Sequence, residues 1–351
     1  MSARTIKGRA AAFNTPNQFQ QHHLEPLEID WDEGDRPVKT VFYKDSSKSI
    51  LAKNDSPDVP FTYSVNPYRG CEHGCIYCYA RPSHEYLGFS AGVDFESKIL
   101  VKHDAPQLLE EAFRKKSWRP QVIAFSGNTD CYQPIEHRLQ ITRHCLEVFV
   151  KFRNPVGIIT KNSLIRRDLD LLKELATLNL ASVTISITSL KKDLVRVMEP
   201  RTSTPTQRLE TVELLASNGI PVTALIAPII PGLTDEEMPA ILKESASRGA
   251  RFAGYTVLRL PGAVEPLFLD WLERKLPDRA RKIRNRTRDV HNGNLSDARW
   301  GKRMSGEGEF ARTIQQLFKL NCEKSGLNKT EFEFSLDHFR REPKGQMEIF
   351  G

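Results

Sequence analysis

Three cysteines fall within eight residues of one another, and they are the part of the sequence best suited to chemistry. Cys71, Cys75 and Cys78 are spaced C-x3-C-x2-C, whereas the other three cysteines are scattered over residues 131–322. A thiolate is a strong metal ligand. A cluster of thiols in a chain with few others does not form a disulfide framework. The spacing therefore indicates a metal centre.

The nature of that metal centre depends on how many ligands are available. A structural zinc site needs four protein ligands in a tetrahedron, so His73, His84 or a distant cysteine would have to join the three thiols. Cys75 and Cys78 alone would form a redox C-x-x-C pair, which leaves Cys71 without a role. Three thiolates on one loop can instead hold three irons of a [4Fe–4S] cluster and leave the fourth iron open. The spacing favours the iron–sulfur cluster, with structural zinc as the alternative.

The elements that must position this loop are six apolar stretches, each followed by a helical pattern. Strands are predicted over residues 61–65, 122–125, 155–160, 182–187, 221–230 and 252–258. The main helices between them are predicted over residues 105–117, 135–152, 164–178, 206–218 and 235–247. Strands that are apolar on both faces are typical of a parallel sheet covered by helices. Six units are too few for a closed eight-stranded barrel, so we predict an α/β fold, a partial (β/α)6 TIM-like barrel, with an open doubly wound sheet as the alternative.

Polar residues follow the predicted strands at the end where such folds carry their chemistry. The cysteine loop follows the first strand, and Gly70 and Gly74 would let its backbone wrap closely around a cluster. A polar stretch at residues 126–130 follows the second strand, Lys161 closes the third, and Thr188 follows the fourth. Because the carboxyl ends of parallel strands meet at one edge of the sheet, these residues should lie close together.

The rest of the chain divides into two extensions of the predicted core. We predict an irregular N-terminal extension over residues 1–60, a core over 61–262 and a helical, basic C-terminal extension over 263–351, with a helix over 310–320. The first extension contains the pair His22-His23 and an acidic run at 28–35, both expected in surface loops. The last contains eight Lys and Arg against one Asp over residues 274–288.

Composition limits the classes of protein that fit. Of the 351 residues, 39% are hydrophobic and 27% are charged, which predicts a globular protein. No apolar run reaches the ~20 residues that span a bilayer, and the start has no signal-peptide pattern, so we expect a cytoplasmic protein without membrane association. The net charge of +7 permits an anionic partner such as nucleic acid.

The cysteine spacing, with Tyr77 directly before the last cysteine, resembles the signature of the radical S-adenosylmethionine (SAM) superfamily. The wider segments at residues 66–80, 129–136 and 227–232, together with Glu199-Pro200, resemble the branch grouped with spore photoproduct lyase. The resemblance covers roughly residues 60–320.

The resemblance implies a cofactor pair and a reaction. Cys71, Cys75 and Cys78 would hold a [4Fe–4S] cluster, and SAM would bind the open iron through its amino and carboxylate groups. An electron from a donor such as a flavodoxin or ferredoxin would cleave SAM to methionine and a 5′-deoxyadenosyl radical, which would abstract hydrogen from a substrate. The cofactors would carry this chemistry, and the protein would orient them and exclude water.

The resemblance also suggests which residues bind SAM. Tyr77 would pack beside the adenine. The segment Ser126-Gly127-Asn128-Thr129-Asp130 occupies the place of the family's glycine-rich segment that binds the methionine amine. It has one glycine only, and Asp130 would replace the usual acid. The alternative is an ordinary turn in which Thr129 or Asp130 caps a helix.

Further SAM contacts are predicted after the fourth strand. By the same resemblance, Ser186 and Thr188 lie near the ribose or the methionine moiety. Of Glu199 and Arg201, one would bind the ribose hydroxyls and the other the methionine carboxylate, with Arg208 competing for the carboxylate. A salt-bridged loop is the alternative for these charged residues.

Two further residues are candidates for handling a substrate radical. Cys131 lies one residue past the polar stretch, and a thiol there would donate a hydrogen atom to such a radical. Tyr132 is a second candidate, for radical relay. The alternative for Cys131 is a small buried side chain with no chemical role.

We therefore predict a radical SAM enzyme of the lyase or oxidoreductase class. A nucleic-acid lesion is one candidate substrate, supported by the resemblance to the spore photoproduct lyase branch and by the basic C-terminal run. A small molecule or a protein is the alternative substrate, and a non-catalytic zinc-binding protein is the third possibility.

Overall fold

A computed structural model describes residue 6, residues 8–19 and residues 38–341. The predicted surface loops at His22-His23 and at residues 28–35 lie outside the described residues. In chain order the described strands are β1 (Val41–Lys44), β2 (Leu51–Lys53), β3 (Tyr63–Val65), β4 (Tyr68–Arg69), β5 (Lys98–Val101), β6 (Ile123–Phe125), β7 (Val156–Thr160), β8 (Ala181–Ser186), β9 (Val222–Ile229) and β10 (Phe252–Val257).

Seven of these strands form one sheet in the order β10-β9-β8-β7-β6-β3-β2. The six strands from β3 to β10 pair in parallel, and β2 is an antiparallel edge strand on β3. The order in space follows the order in sequence, and β10 does not pair with β2, so the sheet is not closed. These six parallel strands confirm the six predicted strands and the partial TIM-like barrel.

The helices cover the sheet and extend beyond it. They are α1 (Val93–Ser97), α2 (Ala105–Arg114), α3 (Glu136–Leu139), α4 (Ile141–Phe152), α5 (Leu169–Ala176), α6 (Lys192–Met198), α7 (Pro205–Ser217), α8 (Met238–Ser247), α9 (Val264–Lys275), α10 (Pro277–Asp289) and α11 (Glu309–Ser325). Short 3-10 helices span Arg81–Leu87, Ser163–Asp168 and Asp235–Glu237. Among the described residues, no helix has the length and apolar character needed to cross a bilayer.

The prediction of one continuous helix over residues 135–152 is wrong. Gln140 has a left-handed φ of 53° and separates α3 from α4. The Glu136 carboxylate is held by the buried Tyr68 hydroxyl and by Arg167, and it accepts the backbone N–H of Thr142 at 3.1 Å. That bond satisfies one of the free N–H groups at the start of α4, so the break costs little.

The N-terminal extension is less irregular than predicted. It contributes β2 to the main sheet and β1 to a second sheet of order β1-β5-β4, in which β1 and β5 are parallel and β4 and β5 antiparallel. The partner of β1 is distant in sequence, whereas β2 pairs with β3 only ten to fourteen residues further along the chain. The boundaries of the three predicted parts stay a prediction.

The described residues form two large hydrophobic cores and a small cluster of Cys71, Ala80 and Phe95. The larger lies between the main sheet and its helices. The smaller joins the cysteine loop, through Ile76 and Tyr77, to α9 and α10, through Phe268, Trp271 and Ile283. The Trp271 indole also donates to the Val197 carbonyl at 3.0 Å. The C-terminal helices therefore pack directly beside the cysteine loop.

Candidate functional site

The cysteine loop, residues 70–78, follows the short strand β4 and is fixed by backbone hydrogen bonds. The N–H of Cys71 donates to the Phe95 carbonyl at 2.9 Å, and the N–H of Ile76 donates to the Met198 carbonyl at 3.0 Å. The thiols of Cys71, Cys75 and Cys78 are all free, the first two buried and the third half-buried. The loop is therefore held at both its beginning and its middle, which leaves three unmodified thiols on a defined backbone.

Two glycines are required for this loop to form. Gly70 and Gly74 have φ values of +77° and +63°, a region that other residues rarely adopt. A Cβ at Gly74 would lie 2.7 Å from Oε2 of Glu96, and one at Gly70 would lie 3.0 Å from Cε1 of His84. Conformation and space both exclude a side chain at these two positions.

A buried ion pair supports the back of the cysteine loop. The fully buried Arg81 guanidinium donates to the carbonyls of Cys75 at 3.0 Å and Gly74 at 3.2 Å, and to Glu96 at 2.6 Å. It also donates to the carbonyls of residues 91 and 92. Glu96 in turn accepts the N–H groups of residues 10 and 11. The N-terminal segment is thus tied to the loop through one carboxylate.

Residues of the second and fourth strand-end loops hold the start of the cysteine loop. The buried Gln133 amide accepts the N–H of Glu72 at 2.9 Å and donates to the Gly70 carbonyl at 3.3 Å. The Glu72 carboxylate accepts from Arg201 at 3.2 Å and from the N–H of Ile135 at 3.0 Å. Arg201 is therefore paired with Glu72, not with Glu199.

The predicted segment at residues 126–130 lies beside the cysteine loop and is itself internally bonded. Ser126, with a φ of +76°, accepts the N–H of Cys131 at 2.7 Å, and the Gly127 carbonyl accepts the Tyr79 hydroxyl at 2.7 Å. Asn128 and Thr129 donate their N–H groups to Asn66. The segment therefore contacts residues on both sides of the three thiols.

Asp130 connects this segment to the third strand and to the cysteine loop. Its carboxylate accepts the Thr160 hydroxyl and the N–H of Lys161, both at 2.8 Å, and lies 3.3 Å from Nδ1 of His73. Burial alone would raise the pKa of Asp130, but His73 and then the backbone N–H groups of Lys161 and Tyr132 outweigh burial and lower that pKa to about 2. The ionised carboxylate of Asp130 therefore links its own segment to the cysteine loop and to the loop after β7.

Tyr77 and three polar residues form a second buried network. The Tyr77 hydroxyl lies 3.1 Å from that of Thr188 and donates to Glu199, which also accepts the Thr188 hydroxyl at 2.6 Å. Arg208 donates to Glu199, to the Ser186 carbonyl at 3.0 Å and to the Ser203 carbonyl at 2.9 Å. The two charges satisfy each other within a water-excluded space.

Electrostatics agree with this arrangement. Burial would raise the pKa of Glu199, but Arg208 first, then Lys161, outweigh burial and lower that pKa to about 2. Ser186 donates its hydroxyl to the Ala227 carbonyl at 3.2 Å. The structure therefore brings together Tyr77, Ser186, Thr188, Glu199 and Arg208, and it places Arg201 in a different pair.

Lys161 is a cation that faces the thiols. Its ammonium group lies 5.9 Å from the centre of the Tyr77 ring. Burial raises the pKa of the Cys75 and Cys78 thiols, and the charge of Lys161 acts in the opposite direction on both. A positive charge at this position favours any anionic group bound next to the loop.

The three thiols fit an iron–sulfur cluster. Metal ligation requires thiolates, and burial followed by the Asp130 charge raises the pKa of Cys71, so these thiols need an added positive charge to ionise. Among the described residues, no three His, Cys, Asp or Glu side chains converge on one point that could hold a single metal ion. A [4Fe–4S] cluster would be held by the thiolates of Cys71, Cys75 and Cys78, and its irons would supply the positive charge that their ionisation needs.

Cys131 and Tyr132 directly follow the 126–130 segment, and their backbone N–H groups donate to Ser126 and to Asp130. Both side chains are fully buried in the larger core. The Tyr132 hydroxyl donates to Asp168 at 3.1 Å, and burial raises the pKa of the Cys131 thiol. Among the described residues, no hydrogen bond joins either side chain to the cysteine loop, and their roles as hydrogen donor or relay stay predictions.

Several residues of the site carry no spacing signal that identifies them. Arg81, Glu96 and Gln133 hold the cysteine loop from outside it, and Tyr79 and Arg259 lie together at its open side. Only Tyr79 had a usable signal, since it is an aromatic residue adjacent to the last cysteine.

Comparison with known proteins assigns the family. The model of the Radical SAM superfamily matches residues 65–244. An uncharacterized protein of Mycobacterium tuberculosis is 36% identical over 249 residues, which is 70% of this chain and 73% of that protein. One of Methanocaldococcus jannaschii is 31% identical over 225 residues, 64% of this chain and 80% of that protein.

A solved structure shows the same fold. Spore photoproduct lyase complexed with dinucleoside spore photoproduct superimposes with a TM-score of 0.56 over 82% of this chain and 80% of that chain, at 16% identity. The family model covers the cysteine loop and all of four of the six parallel strands, β6 to β9, and members of this family use a [4Fe–4S] cluster and SAM. The chain therefore belongs to the radical SAM superfamily, and it is a radical SAM enzyme.

Proposed function

We propose that Cys71, Cys75 and Cys78 hold the [4Fe–4S] cluster of an enzyme that acts on a nucleic acid. The observation that carries the first part is the cysteine loop itself, with three free thiols on a backbone that two glycines allow and a buried ion pair supports. When bound, the cluster and SAM supply one-electron chemistry that ends in removal of a hydrogen atom from the substrate.

Some charged residues around the cysteine loop are bound within the protein, and others can contact a ligand. Arg208 is committed to Glu199 and to two carbonyls, and Arg201 is committed to Glu72. Lys161, which has no such ion pair among the described residues, is therefore the cation best placed for an anionic group beside the thiols. Glu199 fixes the Tyr77 hydroxyl, and so orients the ring next to Cys78.

Predicted contacts with SAM remain proposals of the same kind. Ser186 and Thr188 lie at the end of β8, next to the Tyr77 ring, and their hydroxyls both reach the Ala227 carbonyl at 3.2 Å. The segment at residues 126–130 contacts the loop through Tyr79, whose hydroxyl donates to the Gly127 carbonyl. These two groups of residues would hold SAM beside the cysteine loop.

The basic helix α10 supports a nucleic-acid substrate. Its exposed cations are Arg279, Arg281, Lys282, Arg286 and Arg288. A Cβ built on Gly232, just after β9, would lie 3.6 Å from the Lys282 stem and 3.5 Å from the Arg286 stem. This contact places the basic helix beside the carboxyl edge of the sheet, where the cysteine loop also lies. A phosphate backbone is the anion that a row of such cations binds.

The cluster assignment is tested by anaerobic reconstitution with iron and sulfide. We expect a brown protein that binds about four irons per chain, gives an EPR signal after reduction and cleaves SAM reductively to 5′-deoxyadenosine. Each of Cys71→Ala, Cys75→Ala and Cys78→Ala should lose the cluster and the cleavage. Cys322→Ala, which removes a buried thiol in α11, is the matched control and should retain both. Cleavage that survives in the loop variants would refute the assignment.

The substrate class is tested by binding of labelled oligonucleotides at several salt concentrations. For phosphate contacts, the logarithm of affinity should fall linearly with the logarithm of salt concentration, with a slope of about −0.9 per contact on duplex DNA. The triple variant R281Q/K282Q/R288Q should have a shallower slope. The control K243Q/K319Q/K324Q removes three exposed lysines elsewhere and should behave as the wild type. Equal slopes in both triple variants would remove the nucleic-acid proposal.

The reaction itself is tested by isotope transfer. A deuterated oligonucleotide that carries the candidate lesion should transfer deuterium into 5′-deoxyadenosine during turnover. An equally charged but unlabelled oligonucleotide is the control. Transfer from a small molecule or a protein, and none from the oligonucleotide, would favour the alternative substrate classes.

A further inference from the structure

The open side of the cysteine loop has an aromatic residue in an unusual position. Tyr79 directly follows Cys78, and half of its surface (50%) is exposed. Its hydroxyl donates to the Gly127 carbonyl at 2.7 Å, at the end of the strand next to β3. The ring is therefore fixed in orientation while one part of it faces solvent beside the thiols.

Arg259 lies over this ring. It follows β10, the last parallel strand, and its guanidinium carbon is 5.6 Å from the centre of the Tyr79 ring. The Nε atom is buried and has no hydrogen-bond partner. Within the part of the chain that the structure describes, no ion pair or hydrogen bond involves this guanidinium. The contact with Tyr79 therefore holds the Arg259 guanidinium in place while its N–H groups have no hydrogen-bond partner in the described chain.

The neighbouring Arg303, unlike Arg259, has hydrogen-bond partners for its guanidinium among the described residues. Arg303 donates to the Asp58 carboxylate and to the Ser56 hydroxyl. Burial, and next the charge of Arg303, lowers the pKa of Arg259. This corner therefore contains two guanidinium groups and one carboxylate, and that carboxylate is bound to Arg303. A buried donor without a partner is costly, so the unused charge needs an explanation in terms of a ligand.

We propose that Arg259 and Tyr79 form a subsite for a phosphate group of the substrate. The guanidinium fork matches the geometry of two phosphate oxygens, and the Tyr79 ring keeps the fork in one plane and shields it from water. The proposal rests on the proposed nucleic-acid substrate and adds the place where one of its phosphates is fixed. Because Tyr79 is adjacent to Cys78, that phosphate would lie next to the reacting centre, unlike those on α10.

Protection from chemical modification tests the subsite on the reconstituted holoenzyme. Phenylglyoxal modifies arginines that are accessible and not ion-paired, and mass spectrometry of peptides reports each one separately. We expect Arg259 to react, and inorganic phosphate and a short single-stranded oligonucleotide to protect it. Arg303, which is ion-paired, should react little under any condition and is the internal control.

The same experiment shows whether Arg259 binds phosphate groups or carboxylate groups. A polyglutamate peptide matched in charge to the oligonucleotide should protect Arg259 poorly. If the peptide protects Arg259 and the oligonucleotide does not, or if neither phosphate nor oligonucleotide protects it, the phosphate subsite is refuted.

Substitutions give an independent measurement. Arg259→Gln should reduce the salt slope for a single-stranded oligonucleotide by about 0.7, the value for one phosphate contact. Arg259→Lys should keep the slope but bind more weakly, because a single ammonium cannot replace the fork. K243Q, a charge loss far from the corner, should change neither. An unchanged slope and affinity in Arg259→Gln would overturn the proposal.

The two proposals fail in different ways. If the holoenzyme binds no oligonucleotide at any salt concentration, the nucleic-acid substrate is wrong, and protection of Arg259 by inorganic phosphate still decides the subsite. If oligonucleotides bind with a slope that depends on α10 but not on Arg259, the nucleic-acid substrate stands and the subsite is wrong.

Discussion

Two arginines flank the cysteine loop, and they differ in almost every respect. Arg81, at the back, uses its guanidinium for five hydrogen bonds to four carbonyls and to Glu96, and it is fully buried. Arg259, at the open side, has a buried Nε without a partner and a ring as its neighbour. The first completes a structure, whereas the second leaves donors unused where a ligand can reach them.

The difference between Arg81 and Arg259 separates residues that hold the cysteine loop from residues that can bind a ligand. Groups that hold the cluster loop pair with each other inside the protein, as Arg81 does with Glu96 and Arg208 does with Glu199. A group meant for a ligand must stay unsatisfied until the ligand binds, and proteins tolerate such a group at a cost in stability. Stability measurements should therefore distinguish the two kinds of residue.

The largest effect is expected for Arg81→Met. Removing one partner of a buried ion pair leaves Glu96 as an unpaired buried charge, and such losses cost about 3–5 kcal/mol in free energy of unfolding. Chemical denaturation of the cluster-free protein measures this cost, and iron content after reconstitution should fall as well. Arg248→Met, which breaks a surface pair with Glu213, should cost under about 1 kcal/mol. Similar costs for both variants would show that Arg81 is not a support.

A smaller loss is expected for Gly74→Ala. The left-handed φ alone costs an alanine about 1–2 kcal/mol, and the new Cβ would lie 2.7 Å from the Glu96 carboxylate. Gly219→Ala is the matched control, because Gly219 has a φ of +78° and open space around it. Denaturation should show a larger loss for the first variant, and the difference measures the contact with Glu96. Equal losses would mean that Glu96 moves without cost.

Much of the fold was predictable, because each strand and each helix is marked by the pattern of its own stretch of sequence. The six parallel strands are continuous apolar runs such as Val156–Thr160 and Val222–Ile229, and each is followed by a helix, so the pattern predicted a parallel sheet. The strand β1 was missed because its partner β5 is more than fifty residues away in sequence. The break at Gln140 was missed because it depends on Tyr68 and Arg167 reaching Glu136.

In the candidate site, too, features set by local sequence were predicted, and features set by distant contacts were not. The three cysteines and Tyr77 could be selected as candidates from the sequence because they lie within eight residues of one another. The pairing of Glu199 with Arg208 rather than Arg201 was not, because it depends on α7 turning Arg208 back under β8. Arg81 and Arg259 were missed for the same reason, since a guanidinium reveals its role only through the groups around it.

A pH-dependent loss of stability is expected from His84, which lies behind the loop. Neither of its ring nitrogens has a hydrogen-bond partner, and burial lowers its pKa to about 4. The unfolded chain would bind a proton below about pH 6.5 while the folded chain would not. Stability is therefore lost as pH falls from about 6.5 through 4, by roughly 2 kcal/mol at about pH 5.

The variant His84→Leu isolates this contribution. It removes the titrating ring, so the unfolding free energy should fall less steeply with pH over the same interval. His137→Leu, in the short helix α3, is the control and should follow the wild-type curve in slope. A wild-type slope that persists in His84→Leu would assign the acid sensitivity to other groups.

The smallest effect on stability is expected for Arg259→Met, and this variant decides the comparison between the two arginines. Because the guanidinium has no ion pair to lose, its removal should change the free energy of unfolding by less than about 0.5 kcal/mol, or raise it as the unpaired charge disappears. The same denaturation experiment that shows a large loss for Arg81→Met measures it. A loss comparable to that of Arg81→Met would mean that Arg259 supports the fold, and its unused donors would then no longer point to a ligand.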